Sequence, residues 1–207
     1  MNSKSLTAPQ LEALREVSHV GMEQVARALS QLLAEEIDLR VPRVSKVDLA
    51  QVPELLGGAD TPVVGITLGI VGDAGGDLLL ILRPQSAHLL LQRLLGRRPS
   101  DTDLRLDELG TSALQEFANI LASVYLGALG DRLRISLLPT PPRLACDMLG
   151  AIADEVLITL SLEGDTALMV DTEFFGASLA AESIVGHLLL LPAPSLLALL
   201  GRKPEGA

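Results

Sequence analysis

From residue 112 onward the apolar and polar positions separate into two faces. Leu114, Phe117, Leu121, Val124 and Ala128 recur at steps of three and four, the rhythm of one side of an α-helix. Ser112, Glu116 and Asn119 stand at i, i+4 and i+7 and make a polar stripe on nearly the opposite side. The pattern predicts a helix from about Asp107 to Leu129 with Gly130 as its C-cap. An earlier stretch has the same character. Thr7-Ala8-Pro9-Gln10 reads as a helix start, with Thr as N-cap and Pro in the first turn. That helix should run to about Glu36, with Leu14, Val17, Gly21, Val25, Ala28 and Leu32 inward.

Between and after these helices the period shortens. Val44–Leu49 alternates as a strand, and Val52–Ala59 is a short helix or loop closed by Gly57-Gly58. Val63–Val71 and Leu78–Leu82 flank the Gly72–Gly76 turn as a β-hairpin. Pro84 opens an amphipathic helix to Leu95, ending at Gly96. Pro99–Asp103 is a polar linker. Beyond the second long helix, Leu133–Leu138 is expected as a strand. Val156–Leu162 and Thr166–Asp171 are expected as a hairpin around Glu163-Gly164-Asp165, and Glu173–Ser183 as a helix. Gly186–Leu191 and a Pro-opened helix to Leu200 echo Gly76–Ile81 and Pro84–Leu95, and Gly201–Ala207 should fray.

The two long helices are registered copies. Subtracting 100 from Ser112, Glu116 and Asn119 gives Glu12, Glu16 and His19, and Pro142-Arg143 maps onto Pro42-Arg43. Ala13-Leu14 and Ala28-Leu29 likewise map onto Ala113-Leu114 and Ala128-Leu129. A solvated helix face has no reason to keep its distance to a remote proline, whereas duplication of a whole unit keeps it. The expected fold is α/β of the α+β type: a pseudo-twofold duplicated unit with long helices packed on a largely antiparallel sheet. It forms a single domain over 1–207 made of two repeats, about 7–98 and 104–201.

Composition narrows the function. With 48% apolar residues but 2% aromatics and no Trp, the core must be aliphatic. A net charge of −10 argues against nucleic acid, which needs clustered Lys and Arg. One cysteine, Cys146, precludes an intrachain disulfide, and it reads as a buried small hydrophobe. Met1–Pro9 lacks the apolar core of a signal peptide, and no stretch supplies about 18 uninterrupted apolar residues for a membrane span. A cytoplasmic protein is expected. Gly72–Gly76 lacks the Gly-Lys-Ser/Thr ending of a phosphate loop. His88 and His187 read as structural, and no His/Cys cluster suggests a metal.

With both copies in view, the chain resembles the CheC family of bacterial and archaeal chemotaxis proteins. Those proteins carry a motif twice: Asp or Ser, Glu four later, Asn three after that, and Pro beyond a further 22 residues. Ser112, Glu116, Asn119 and Pro142 match throughout. The first copy keeps Glu16 and Pro42 but has Glu12 at the Asp/Ser position and His19 at the Asn. Asp147-Met-Leu-Gly-Ala-Ile152 is a further family-like run. The resemblance spans nearly the whole chain. It implies hydrolysis of the aspartyl phosphate of the response regulator CheY and binding of the receptor deamidase CheD, with Asp147 as the CheD contact. It also leaves a second reading, because relatives with this fold serve the flagellar switch without the motif residues: a non-catalytic CheD-binding or switch-like adaptor.

The implied chemistry suits these side chains. An acyl phosphate is already reactive, so its hydrolysis mainly needs water held in line with the leaving oxygen. The Asn119 amide can both donate to and accept from that water without titrating. Glu116, one turn away, can bind a lysine of the regulator. Mg2+ is expected in the regulator's own acidic pocket, with no cofactor bound by this chain. Ser112 and Glu12 support the motif rather than attack, and Pro142 and Pro42 set the exit from the helix connection. A polar trio on a helix is ordinarily a solvated face; the registered copy and the resemblance favour function at Glu116 and Asn119. The Glu16/His19 site is expected to be impaired or altered.

Overall fold

Gly72 and Gly76 carry φ of 123° and 148°, backbone geometry that side chains resist. They close the hairpin of β2 (Pro62–Gly72) and β3 (Gly76–Leu82). A computed structural model describes residues 8–33, 37–96, 106–160, 166–176 and 184–200. Before the hairpin come α1 (Ala8–Leu33), β1 (Ile37–Asp48), a 3₁₀ turn (Leu49–Gln51) and α2 (Val52–Leu55). After it come α3 (Pro84–Leu95), α4 (Glu108–Leu133), β4 (Leu137–Pro139), β5 (Arg143–Met148) and α5 (Leu149–Leu160). The last are β6 (Thr166–Gly176), β7 (Ile184–Pro192) and α6 (Pro194–Leu200).

The described strands form one antiparallel seven-stranded sheet in the order β1-β6-β7-β3-β2-β4, with β5 also on β2. Its middle is the β3·β7 pair, where Leu80 faces Leu188. The order reads alike from either end. β1 of the first half pairs with β6 of the second, and β4 and β5 of the second pair with β2 of the first. Each half thus lends its first strand to the other's hairpin.

Alternation along the strands sorts the core into two layers. Val64, Ile66, Leu68, Leu78, Leu80, Leu188 and Leu190 point toward α1, α3, α4 and α6. Val63, Leu79, Ile81, Leu189 and Leu191 point the other way, against Val52 and Leu56 of α2 and Leu149 and Ile152 of α5. Gly65 makes room for α5. A Cβ there would stand 2.5 Å from Ile152 Cδ1.

The outer strands explain the paired prolines. β1 and the β4–β5 stretch cover 37–48 and 137–148, the same span displaced by 100. The β1·β6 register slips between Arg40 and Arg43, around Pro42, and the second stretch is broken at residues 140–142, ending in Pro142. A proline has no N–H to give a ladder, so each strand is interrupted at the same place. Pro42 therefore lies inside a strand rather than at the end of a connection.

Four further expectations change. The segment from Val156 belongs to α5, not to a hairpin. Its β-branched residues favour a strand locally, but Leu149, Ile152 and Ala153 are buried at helical spacing, and the amides of Leu149 and Gly150 bond to the carbonyls of Thr61 and Ala59. Glu173–Gly176 continues β6, because Arg40, Leu39, Asp38 and Ile37 pair with it; residues 177–183 lie outside those described, as do Thr7 and 34–36. Gly130 is not the cap of α4, which runs to Leu133 and turns at Arg134 (φ 57°, ψ 46°), leaving β4 to begin at Leu137. There the Ile135 amide bonds to the Gly130 carbonyl at 3.0 Å, a Schellman closure. A Cβ on Gly130 would meet the Ile135 carbonyl oxygen at 2.6 Å, so the glycine serves the returning chain. Finally, Cys146 is exposed: it shares a face with Val64 but sits on an outer strand, and partial desolvation lifts its thiol pKa.

Arg134 is the only non-glycine with positive φ among the described residues. Arg134→Gly should relieve that conformation and stabilise the fold by about 1 kcal/mol, read as a higher urea midpoint at unchanged slope.

Candidate functional site

Helix α4 starts where its sequence provides a cap. Asp107 Oδ1 accepts from the Gly110 amide at 2.7 Å, satisfying a free donor of the first turn. From there Leu114, Phe117, Ala118, Leu121, Ala122 and Tyr125 are buried, which fixes the opposite side outward. Ser112 and Glu116 are exposed and Asn119 is half-buried. Neither the Glu116 nor the Asn119 side chain makes an ion pair or hydrogen bond among the described residues. A carboxylate and an amide one turn apart therefore face outward with their bonding capacity open. Leu109, 55% exposed, stands seven residues before Glu116 on the same side.

The first copy presents Glu12, Glu16 and His19, all exposed, while Val17, Ser18, Gly21, Met22 and Val25 are buried. Glu12 forms an exposed pair with Arg15 at 3.3 Å, an arrangement of little energetic consequence. The stripes are held by one helix pair. Gly21 lies against Tyr125 and Ala128 of α4; a Cβ there would be 3.3 Å from the tyrosine ring. Beside it, the Ser18 and Tyr125 hydroxyls meet at 3.1 Å, both buried. Burial pushes the Tyr125 hydroxyl pKa up, against a smaller lowering by the Ser18 bond. His19 and Asn119 are thus carried by helices locked together through the core.

Pro142 is tied to the second stripe directly. Gln115 Nε2 donates to the Pro142 carbonyl at 3.0 Å, joining the residue before Glu116 to the motif proline. Gln115 belongs to neither stripe of the sequence pattern; its i, i+4 relation to Asn119 is the one local signal that points to it. Asp147 is exposed at the end of β5, its Oδ1 accepting from the Met148 amide at 2.7 Å, and Met148 beside it is 47% exposed. Asp147 therefore turns the chain into α5 and still presents its carboxylate outward.

Elsewhere, His88 and His187 line an open cavity of about 900 Å3 with Arg83, Gln85 and Leu55, apart from both stripes. Among the described residues no group of three or more His, Cys, Asp or Glu could hold a metal ion, and no helix is long and apolar enough to cross a membrane.

The arrangement of helices on this sheet is shared with solved structures. Thermotoga maritima FliY superposes with a TM-score of 0.76 at 17% identity, over 94% of this chain and 95% of that one. The FliM middle domain from H. pylori gives 0.72 at 14%, over 96% and 100%. The mixed helix and antiparallel-sheet fold is thus the one seen in FliY and the FliM middle domain. Over 184 residues, 88% of each protein, the chain is 38% identical to the CheY-P phosphatase CheC of Bacillus subtilis (strain 168). The chain belongs to the CheC family of phosphatases. No family model matches it.

Tyr125→Phe should cost about 1 to 2 kcal/mol, since it strands the buried Ser18 hydroxyl. Adding Ser18→Ala should recover part of that loss, a coupling read from a double-mutant cycle in urea. Because the folded tyrosine resists ionisation, stability should fall as pH rises through about 10, where the unfolded side chain loses its proton. As Tyr125 is the only tyrosine, tyrosinate absorbance during alkaline unfolding reports it alone, and Tyr125→Phe should flatten the slope.

Proposed function

We propose that this protein hydrolyses the aspartyl phosphate of phosphorylated CheY, chiefly through Glu116 and Asn119, as one unit built of two repeats (about 7–98 and 104–201). The observation that carries the reading is the outward carboxylate–amide pair on α4, unengaged within the described chain and set opposite the buried face. The family relationship supports it, since the B. subtilis relative is named for that activity.

The site would work by insertion. Glu116 docks on a cationic side chain of the regulator and sets the depth of α4 in its pocket. The Asn119 amide then holds water in line with the scissile P–O bond. Water's oxygen forms the new bond to phosphorus, the aspartyl carboxylate leaves, and inorganic phosphate is released. Mg2+, held by the regulator's own pocket rather than by this chain, would supply charge neutralisation at the phosphoryl oxygens. Ser112 occupies the rim, and Pro142 shapes the segment beside the helix.

At Glu16/His19 an imidazole replaces the amide. It is bulkier and has one acceptor and one donor on opposite sides of a ring, so the first site is a weaker second centre. Asp147, exposed beside Met148, is the proposed contact for CheD, and the cytoplasm, where these partners act, is the proposed location.

Dephosphorylation of phosphorylated CheY should be slowed about 100-fold in kcat by Asn119→Ala, and little by His19→Ala. His19→Asn should raise turnover by restoring the second amide; an unchanged rate removes the account of an impaired first site. A wild-type protein without turnover, yet retaining CheD in a binding assay, would identify a non-catalytic adaptor instead.

A further inference from the structure

We infer that Gln115 is a positioning residue for Asn119, acting through its hydrogen bond to the broken strand at Pro142. The inference rests on the proposed catalytic reading of α4. The break at 140–142 interrupts the outer strand, and the Gln115 amide takes up the Pro142 carbonyl there at 3.0 Å. The same segment is anchored to β2: the Thr140 amide bonds to the Gly69 carbonyl and the Thr140 hydroxyl accepts from the Gly69 amide, both at 2.8 Å. Gln115 therefore ties α4 to a point fixed by the sheet.

The need for such a tie follows from how the rest of the helix is held. Leu114, Phe117, Ala118 and Leu121 meet aliphatic neighbours, and apolar contacts are non-directional. They hold the helix against the sheet, while the buried directional contact on α4, the Ser18–Tyr125 bond, lies nearly two turns beyond Asn119. Turning a helix by about 10° carries a side-chain tip about 1 Å, given a radius of about 6 Å with side chains. A displacement of that size can cost about 100-fold where water must be aligned. Gln115 stands one turn before Asn119 on the same side of α4, so its bond fixes the rotation where alignment matters. Arg15, another N–H donor, occupies the corresponding position of the first copy.

Gln115→Glu keeps the shape of the side chain but places an acceptor against the carbonyl. It should lower kcat for phosphorylated CheY about tenfold while KM changes less than about twofold. In an Asn119→Ala background the same substitution should have almost no further effect, because a residue that works through Asn119 has nothing left to align. Gln115→Met, which removes the donor without adding charge, should behave likewise and replaces Gln115→Glu if that variant does not fold. An undiminished kcat, a loss confined to KM, or a loss that multiplies fully with that of Asn119→Ala would each overturn the inference while leaving the proposed function intact. An inactive wild type, or an Asn119→Ala variant as active as wild type, would instead remove the catalytic reading and Gln115's role with it.

Discussion

The exchange of outer strands is the constraint on which the rest of this structure depends. β1 has its partner in β6, and β2 has its partners in β4 and β5, so neither half completes its sheet from its own residues. The central β3·β7 pair adds a third seam. Backbone groups buried along these seams need partners, and those partners come from more than 60 residues away in the chain for every seam between halves. Folding is consequently non-local, and the two long helices acquire a common platform only when both halves are in place.

On that platform the site is what remains outward once the helices are packed. Phe117 and Leu121 turn one side of α4 into the core, and Val17, Met22 and Val25 do the same for α1. Glu116, Asn119, Glu16 and His19 then project without any specialised scaffold of their own. This suits a chemistry in which the substrate protein would supply the reactive bond and the metal, leaving this chain to contribute position. The directional contacts that tie α4 down are the Asp107 cap, the buried Ser18–Tyr125 bond and the Gln115 bond.

Features whose cause lies within a few residues were legible in the sequence. Pro84 and Gly96 bracket α3, Gly72 and Gly76 mark the hairpin, and the 3,4 rhythm gives the buried side of α4 and with it the outward stripe. Features caused by distant partners were not. Glu173–Gly176 is extended because β1, more than 130 residues earlier, pairs with it. The segment after Val156 is helical because α5 seats on a sheet that Gly65 leaves bare. Gln115 could not be singled out because its partner is a main-chain carbonyl, which carries no side-chain signature. Gly130 was assigned to the wrong job for a similar reason, since what it accommodates is the backbone of Ile135 coming back toward the helix.

The interleaved halves also bear on how the chain can diverge. Two identical subunits assembled in this manner would be obliged to carry the same residue at both symmetry-related positions. Joining them in one polypeptide lifts that obligation, so His can stand at position 19 while Asn stands at 119 without either altering the seams between strands. Within one polypeptide the two outward stripes are thus separately mutable, while the strand pairing that carries both stays the same.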